Sequence, residues 1–199
     1  AEDLLEDTEP GTPLNEDLKV ILRETIRCRQ IVRDLLDFSR QTKRDPQDML
    51  IEPVILRAVK LVEKQAAFHD IRFDLDLHES PLRVYADPNQ LLQVLLNLVI
   101  NARDAMEGKG TLTIRSLWRR AKRRVVVEVV DEGCGIPPDT MERVFEPFFS
   151  TKGDRGNGLG LAAVRAIVEQ HQGEIAVESQ LGAGSTFAVS LPTIGMEYP

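Results

Sequence analysis

Cysteine is nearly absent from the 199-residue chain: Cys28 and Cys134 are the only two, and they lie far apart. That excludes a disulfide framework and any zinc-ligand spacing, and it suits a reducing compartment. Aromatic residues are scarce at 5%, with one tryptophan. Positive charge is outnumbered, 25 Lys and Arg against 32 Asp and Glu, for a net charge of −7. Such a surface has no electrostatic drive toward nucleic acid or an anionic membrane, so neither is expected as a partner. No apolar run approaches the ~18 residues that suggest a transmembrane helix, and there is no signal peptide. The reading is a cytoplasmic piece, with any membrane anchor of a longer protein lying outside it. One basic cluster stands out, Arg115 to Arg124. It falls between two strand-like runs and reads as a solvated hairpin tip.

What the chain does have is apolar residues, 42% of the total, arranged in two regimes. From Leu14 to about Thr42, Leu14, Leu18, Ile21, Thr25, Cys28, Val32, Leu35 and Ser39 alternate spacings of four and three. This is the seam of a long helix that needs a partner helix to bury it. Lys43-Arg44-Asp45-Pro46 breaks the pattern. Beyond it, the sequence predicts helices over 53–67, 90–106 and 159–171. It predicts strands over 71–77, 82–85, 111–118, 124–130, 174–178 and 186–191. Strands and helices do not alternate regularly. The expected fold is therefore α+β, an α/β sandwich with a mostly antiparallel sheet covered by helices, preceded by the long helix. Residues 1–45 and 46–199 are read as separate units.

The stretch from Gln90 to Met106 organises the second unit. Asp87-Pro88 offers a helix cap and a proline at the first helical position. Gln93, Asn97 and Asn101 recur every four residues on one face, while leucines and valines cover nearly all the rest. The helix is expected to be buried almost all round, with one polar stripe. Those amides must bond something, either neighbouring loops or a ligand. Further along, Asp131-Glu132-Gly133-Cys134-Gly135-Ile136-Pro137 follows an apolar strand. A carboxylate placed there can accept a hydrogen bond from an amino group such as that of adenine, though such a turn alone is equally an ordinary tight turn. Gly156-Asn157-Gly158-Leu159-Gly160-Leu161 runs into a helix, an arrangement that presents N–H groups to phosphate. Between the two glycine stretches lies Phe145-Glu146-Pro147-Phe148-Phe149-Ser150-Thr151-Lys152. Its phenylalanines read as anchors for a loop, Ser150 to Asn157, that closes over a ligand.

The order Asn-x-x-x-Asn, Asp-x-Gly-x-Gly, Phe-x-x-Phe-Phe, Gly-x-Gly-Leu-Gly-Leu and Gly184-Ser185-Thr186-Phe187 resembles the motif series of sensor histidine kinases. These belong to the ATP-binding superfamily of gyrases, chaperones, histidine kinases and mismatch-repair proteins. The likeness spans roughly Met49 to Pro192. Leu14 to Thr42 resembles the second helix of the family's dimerisation hairpin, and Asp104-Ala105-Met106 resembles the nitrogen-regulation type. The resemblance implies ATP and Mg²⁺ as ligands, with Asn101 holding Mg²⁺, Asn97 at phosphate or a metal-bound water, and Gln93 buttressing it. Asp131 would read the adenine amino group, with Gly133, Gly135, Ile136 and Thr186 shaping that end. Phe145, Gly156, Gly158, Leu159, Gly160 and Leu161 would line the loop around the phosphates. Lys152 would steady the γ-phosphate, and either Arg103 or Lys152 replaces the basic residue that many members carry where Asp104 stands. Asn97 and Lys152 would be the catalytic pair.

The implied reaction is transfer of the γ-phosphoryl group from Mg-ATP to a histidine on the first hairpin helix. Relay to a response-regulator receiver domain would follow, from a homodimeric full-length protein. No acceptor motif surrounds His69, His78 or His171, so the acceptor is expected upstream of Ala1 and autophosphorylation of this chain is not expected. The alternatives are an ATP-hydrolysing enzyme of the gyrase or chaperone kind, or a non-catalytic nucleotide-binding module. The hydrolases place a glutamate base where Asn97 stands, and an amide cannot deprotonate water.

Overall fold

A computed structural model describes Thr8 and residues 11–22, 24–25, 45–151 and 157–194. Residues 13–22 and 24–25 are helical. Thr12 caps this helix, its hydroxyl accepting from the Asn15 N–H at 3.3 Å, and Pro13 follows as the first helical residue. Leu14 and Ile21 of the expected seam are exposed there. Thr25 is exposed too and Leu18 is half-buried, while the seam from Cys28 to Ser39 lies outside the described residues, as do Lys152 and Gly156.

The second unit is built from β1 (Gln47–Leu50), α1 (Glu52–Val62), β2 (Asp70–Asp76), β3 (Arg83–Ala86), α2 (Pro88–Ala105), β4 (Lys109–Arg119), β5 (Arg124–Asp131), α3 (Gly160–Gln170), β6 (Glu174–Gln180) and β7 (Gly184–Pro192). Five strands form a mixed sheet in the order β2-β4-β5-β7-β6. Only β2 and β4 run parallel; the other three pairings are antiparallel. Helices pack on one face. Along β5, Val125, Val127, Val129 and Asp131 point into the core while Glu128 and Val130 point away, as the period of two demands.

The helix α2 lies at the centre. Leu91, Leu92, Val94, Leu95, Leu98, Val99 and Ala102 are buried between the sheet, α1 and α3. Each large side chain so buried contributes about 1.5–3 kcal/mol, and truncating Leu98 to alanine would cost about 2–5 kcal/mol. The helix is nevertheless not buried all round. Ile100 is 39% exposed, and Gln93, Asn97 and Asn101 are only half-buried.

Three local expectations are corrected. β1 was not foreseen: Gln47-Asp48-Met49-Leu50 has no alternation of its own and is a strand because it pairs with β3 in a separate two-stranded sheet. The first helix ends at Val62 instead of Ala67, since Gln65 turns extended so that Phe68, in a short 3-10 turn, reaches the core. β2 is less buried than its alternation suggests, since it forms a sheet edge and Leu75 is exposed. The basic tip is a 3-10 turn, Arg120–Lys122, between β4 and β5.

Candidate nucleotide site

At its C-terminal end, α2 meets the turn that follows β5. The Cys134 N–H donates to the Ala105 carbonyl at 3.0 Å, and a Cβ on Gly133 would stand 2.6 Å from the Ala105 backbone. Gly135, at φ +71, leaves its turn against the Gln180 carbonyl, where a Cβ would approach to 2.1 Å. These two glycines are thus required by the protein's own packing, whatever else the turn approaches.

Asp131 ends β5 with its side chain only 3% exposed. Its Oδ1 accepts from the Gly133 N–H at 2.9 Å, and the backbone of Ser185, its register partner on β7, helps to hold its charge. Burial pushes its carboxyl above the ordinary carboxylate range, and this backbone support offsets it only in part. A buried carboxylate held by the backbone on one side, with no cation paired to it among the described residues, is suited to accept from a neutral amino group.

The amide stripe of α2 faces the start of α3. Asn97 Nδ2 donates to the Gly160 carbonyl at 3.5 Å, and a Cβ on Gly160 would lie 3.9 Å from Asn101 Nδ2. Leu159 is buried and anchors the start of α3, with Leu161 partly buried beside it. Gly158, at φ +66, packs against the Phe148–Phe149 backbone, and the Phe148 N–H donates to the Gly158 carbonyl at 3.0 Å. Phe145 meets Phe187 edge-on at 6.4 Å, which ties the phenylalanine loop to β7. Asn97, Asn101 and Gly160 thus meet where the C-terminal half of α2 faces the start of α3, and the turn after Asp131 packs on the end of α2 at Ala105.

Two residues stand elsewhere. Arg103 turns away from the stripe: its guanidinium lies 5.3 Å from the Phe68 ring centre and pairs with Asp104. Thr186 pairs in register with Val130 and Glu178, on the opposite face of the sheet from Asp131. Ser185, in register with Asp131, is the buried hydroxyl on the site's own face. Sequence pattern indicated the Gly184-Ser185-Thr186 segment, but strand parity decides which of its side chains faces inward, and that depends on the register with β5.

Magnesium, implied by the resemblance, was tested against the residues present. Among the described residues, no group of three His, Cys, Asp or Glu is placed to hold a metal. Mg²⁺ in nucleotide sites needs no such cage, because it takes one or two protein oxygens together with phosphates and waters. The Asn97 and Asn101 amides, with their NH₂ groups toward α3, fit that requirement.

A family described as histidine kinase-, DNA gyrase B- and HSP90-like ATPase matches residues 86–194. The chain belongs to this family. It carries the catalytic ATP-binding domain of a two-component sensor histidine kinase. The sensor histidine kinase ZraS of Salmonella typhi is 37% identical over 192 residues, 96% of this chain and 41% of that protein. The chain therefore spans about two fifths of that relative. Full-length ShkA, solved in complex with AMPPNP, is 28% identical with a TM-score of 0.75, covering 98% of this chain and 42% of that one. Histidine kinase ThkA, solved in complex with response regulator protein TrrA, is 29% identical with a TM-score of 0.74, covering 94% of this chain and 53% of that one. In this kinase domain the site described above falls within the matched residues. No helix among the described residues is long and apolar enough to cross a membrane.

Proposed function

We propose that the domain binds Mg-ATP and transfers its γ-phosphoryl group to a histidine on a helical hairpin, for relay to a receiver-domain aspartate in a response regulator. The observation that carries this is a buried Asp131 carboxylate, with no cation against it among the described residues, beside the end of α2, whose amide stripe is aimed at the start of α3. Asp131 accepts from the adenine amino group. Asn101, with Asn97 beside it, supplies amide oxygen to Mg²⁺, which when bound neutralises phosphate charge. The α3 N-terminus offers backbone N–H groups toward phosphate. With Arg103 engaged by Phe68 and Asp104, Lys152 is the cation assigned to the γ-phosphate. Asn97 cannot act as a base toward water, so hydrolysis is a minor side reaction. The relatives solved with AMPPNP and with a response regulator support the nucleotide and partner classes. Residues 1–45 are read as hairpin and 46–199 as the catalytic unit, in a protein that dimerises through the hairpin.

The test is incubation with γ-labelled Mg-ATP and a separately supplied acceptor hairpin. Acid-labile, base-stable label on the hairpin is expected. Steady phosphate release without hairpin labelling would favour a hydrolase instead.

A further inference from the structure

Ser179 lies on β6, outside every motif in the sequence, yet its hydroxyl joins three segments at the Asp131 end of the site. It accepts from the Ile136 N–H at 2.8 Å and donates to the Gly184 carbonyl at 2.8 Å. The Ser185 hydroxyl lies 3.0 Å away. A serine hydroxyl has one proton and two lone pairs. Since the Ser179 proton goes to Gly184, Ser185 must be the donor in the serine pair, and every bonding position of Ser179 is filled.

The consequence concerns Asp131. Its carboxylate takes an N–H from Gly133, in the turn after β5, and lies beside the backbone of Ser185, its register partner at the start of β7. The relative position of these two segments sets the direction in which the remaining oxygen lone pairs point. Ser179 is the side chain that ties the two segments together, through Ile136 on one and Gly184 and Ser185 on the other. The surroundings leave little slack: a Cβ on Gly184 would stand 1.9 Å from the Asp131 carbonyl oxygen, and the Gly182 N–H donates to the Cys134 carbonyl at 2.8 Å. Hydroxyl chains of this kind fix geometry because each member is oriented by the next.

We propose that Ser179 is a positioning residue for base selection: it aims the Asp131 carboxylate, so that the site takes a purine presenting an amino group and rejects one presenting a carbonyl oxygen. Ser179 itself touches no base. This rests on the nucleotide-binding reading above, so the experiment separates the two. Dissociation constants for Mg-ATP and Mg-GTP are measured by calorimetry on the full chain, on Ser179→Ala, on Ser179→Thr, and on Ser179→Ala in an Asp131→Ala background.

If the parent chain binds neither nucleotide, the nucleotide-binding reading itself fails. If it prefers ATP, Ser179→Ala should lower the ATP-over-GTP preference on the order of tenfold, since a hydrogen bond to a charged group is being misaligned. Ser179→Thr, which keeps the hydroxyl and suits a strand, should restore the preference. In the Asp131→Ala background the substitution should change nothing further, because its effect passes through that carboxylate. If Ser179→Ala does not fold, Ser185→Ala removes one link of the chain and is read the same way. Unchanged preference overturns the proposal. So does equal weakening of both nucleotides with a lowered melting temperature, which would make Ser179 a brace for the fold and nothing more.

Discussion

Two aspartates stand at opposite ends of α2, a helix of 18 residues and so about 27 Å long at 1.5 Å per residue, and they do opposite things. Asp87 caps the helix at its start. Its Oδ1 accepts from the Asn89 and Gln90 N–H groups, and its Oδ2 from the Asp45 N–H at 3.1 Å, where the chain enters the domain. Burial alone would raise its carboxyl, but the N–H groups of Asp45, Gln90 and Asn89, with His171 nearby, hold it below the ordinary carboxylate range. Asp131 is also buried, with less backbone support, from Gly133 and Ser185, and there burial wins. One end of the domain therefore stabilises its charge for the sake of the fold. The other carries a carboxylate whose charge folding resists, which fits the acceptor role proposed for it.

Substituting Asp131 should break this comparison most visibly. Asp131→Ala loses a hydrogen bond from the adenine amino group to a charged acceptor, about 1.5–3 kcal/mol, or roughly 10- to 150-fold in ATP affinity. Asp131→Asn should weaken ATP similarly while raising the melting temperature at neutral pH. The sign follows from the raised carboxyl. Deprotonation costs folding free energy above that value, and the cost disappears as pH falls below it. Calorimetric titration and thermal unfolding read the two effects on one preparation. A less stable Asp131→Asn at neutral pH would mean that the carboxylate serves the fold after all.

Asn101→Ala sharpens the same end. It should abolish the Mg²⁺-dependent tightening of ATP binding, on the order of tenfold, while leaving the metal-free affinity and the fold unchanged. Titrations with and without Mg²⁺ check this. Asp87→Ala should do the reverse, costing about 0.5–2 kcal/mol of stability in urea while ATP affinity stays as it was. Its pH dependence also runs the other way. Asp87's contribution is present above the ordinary carboxylate value and is lost as pH falls through the lowered one, so the parent but not Asp87→Asn should lose stability across that acid window.

The site-bearing elements were legible in the sequence because each is announced locally. Asp87-Pro88 marks the start of α2, glycines mark the turns, and the spacing of Gln93, Asn97 and Asn101 fixes their common face. What escaped depends on strand pairing between distant segments. β1 exists through its register with β3. Ser185 instead of Thr186 faces inward because of the register between β5 and β7. Ser179 acquires its role from a turn 43 residues earlier in the chain. Arg103 reads as a cation on the central helix, and only the packed core shows that Phe68 and Asp104 occupy it.

The smallest expected effect is none at all. The chain's own histidines should remain unphosphorylated with Mg-ATP, because transfer requires a nucleophile in line with the γ-phosphate. His171 belongs to the Asp87 end. It is buried, its Nε2 accepting from the Asp87 N–H at 3.0 Å and its Nδ1 lying 2.8 Å from the Ile167 carbonyl. A carbonyl only accepts, so Nδ1 carries the proton, and neither nitrogen is available for attack. The eleven residues of α3 also place it roughly 16 Å from Gly160. His78 has its Nδ1 engaged with the Ser80 backbone, beyond the end of edge strand β2. His69 is exposed before that same strand, two strands from β5 and so about 10 Å to the side of it. Incubation with γ-labelled Mg-ATP should therefore leave the chain unlabelled under conditions where a supplied hairpin is labelled. Label that vanished on replacing His69, His78 or His171 would show that an acceptor lies within these residues. Label lost only with His171→Ala would go further, since that ring would first have to leave Asp87, and the two ends of α2 would not be independent.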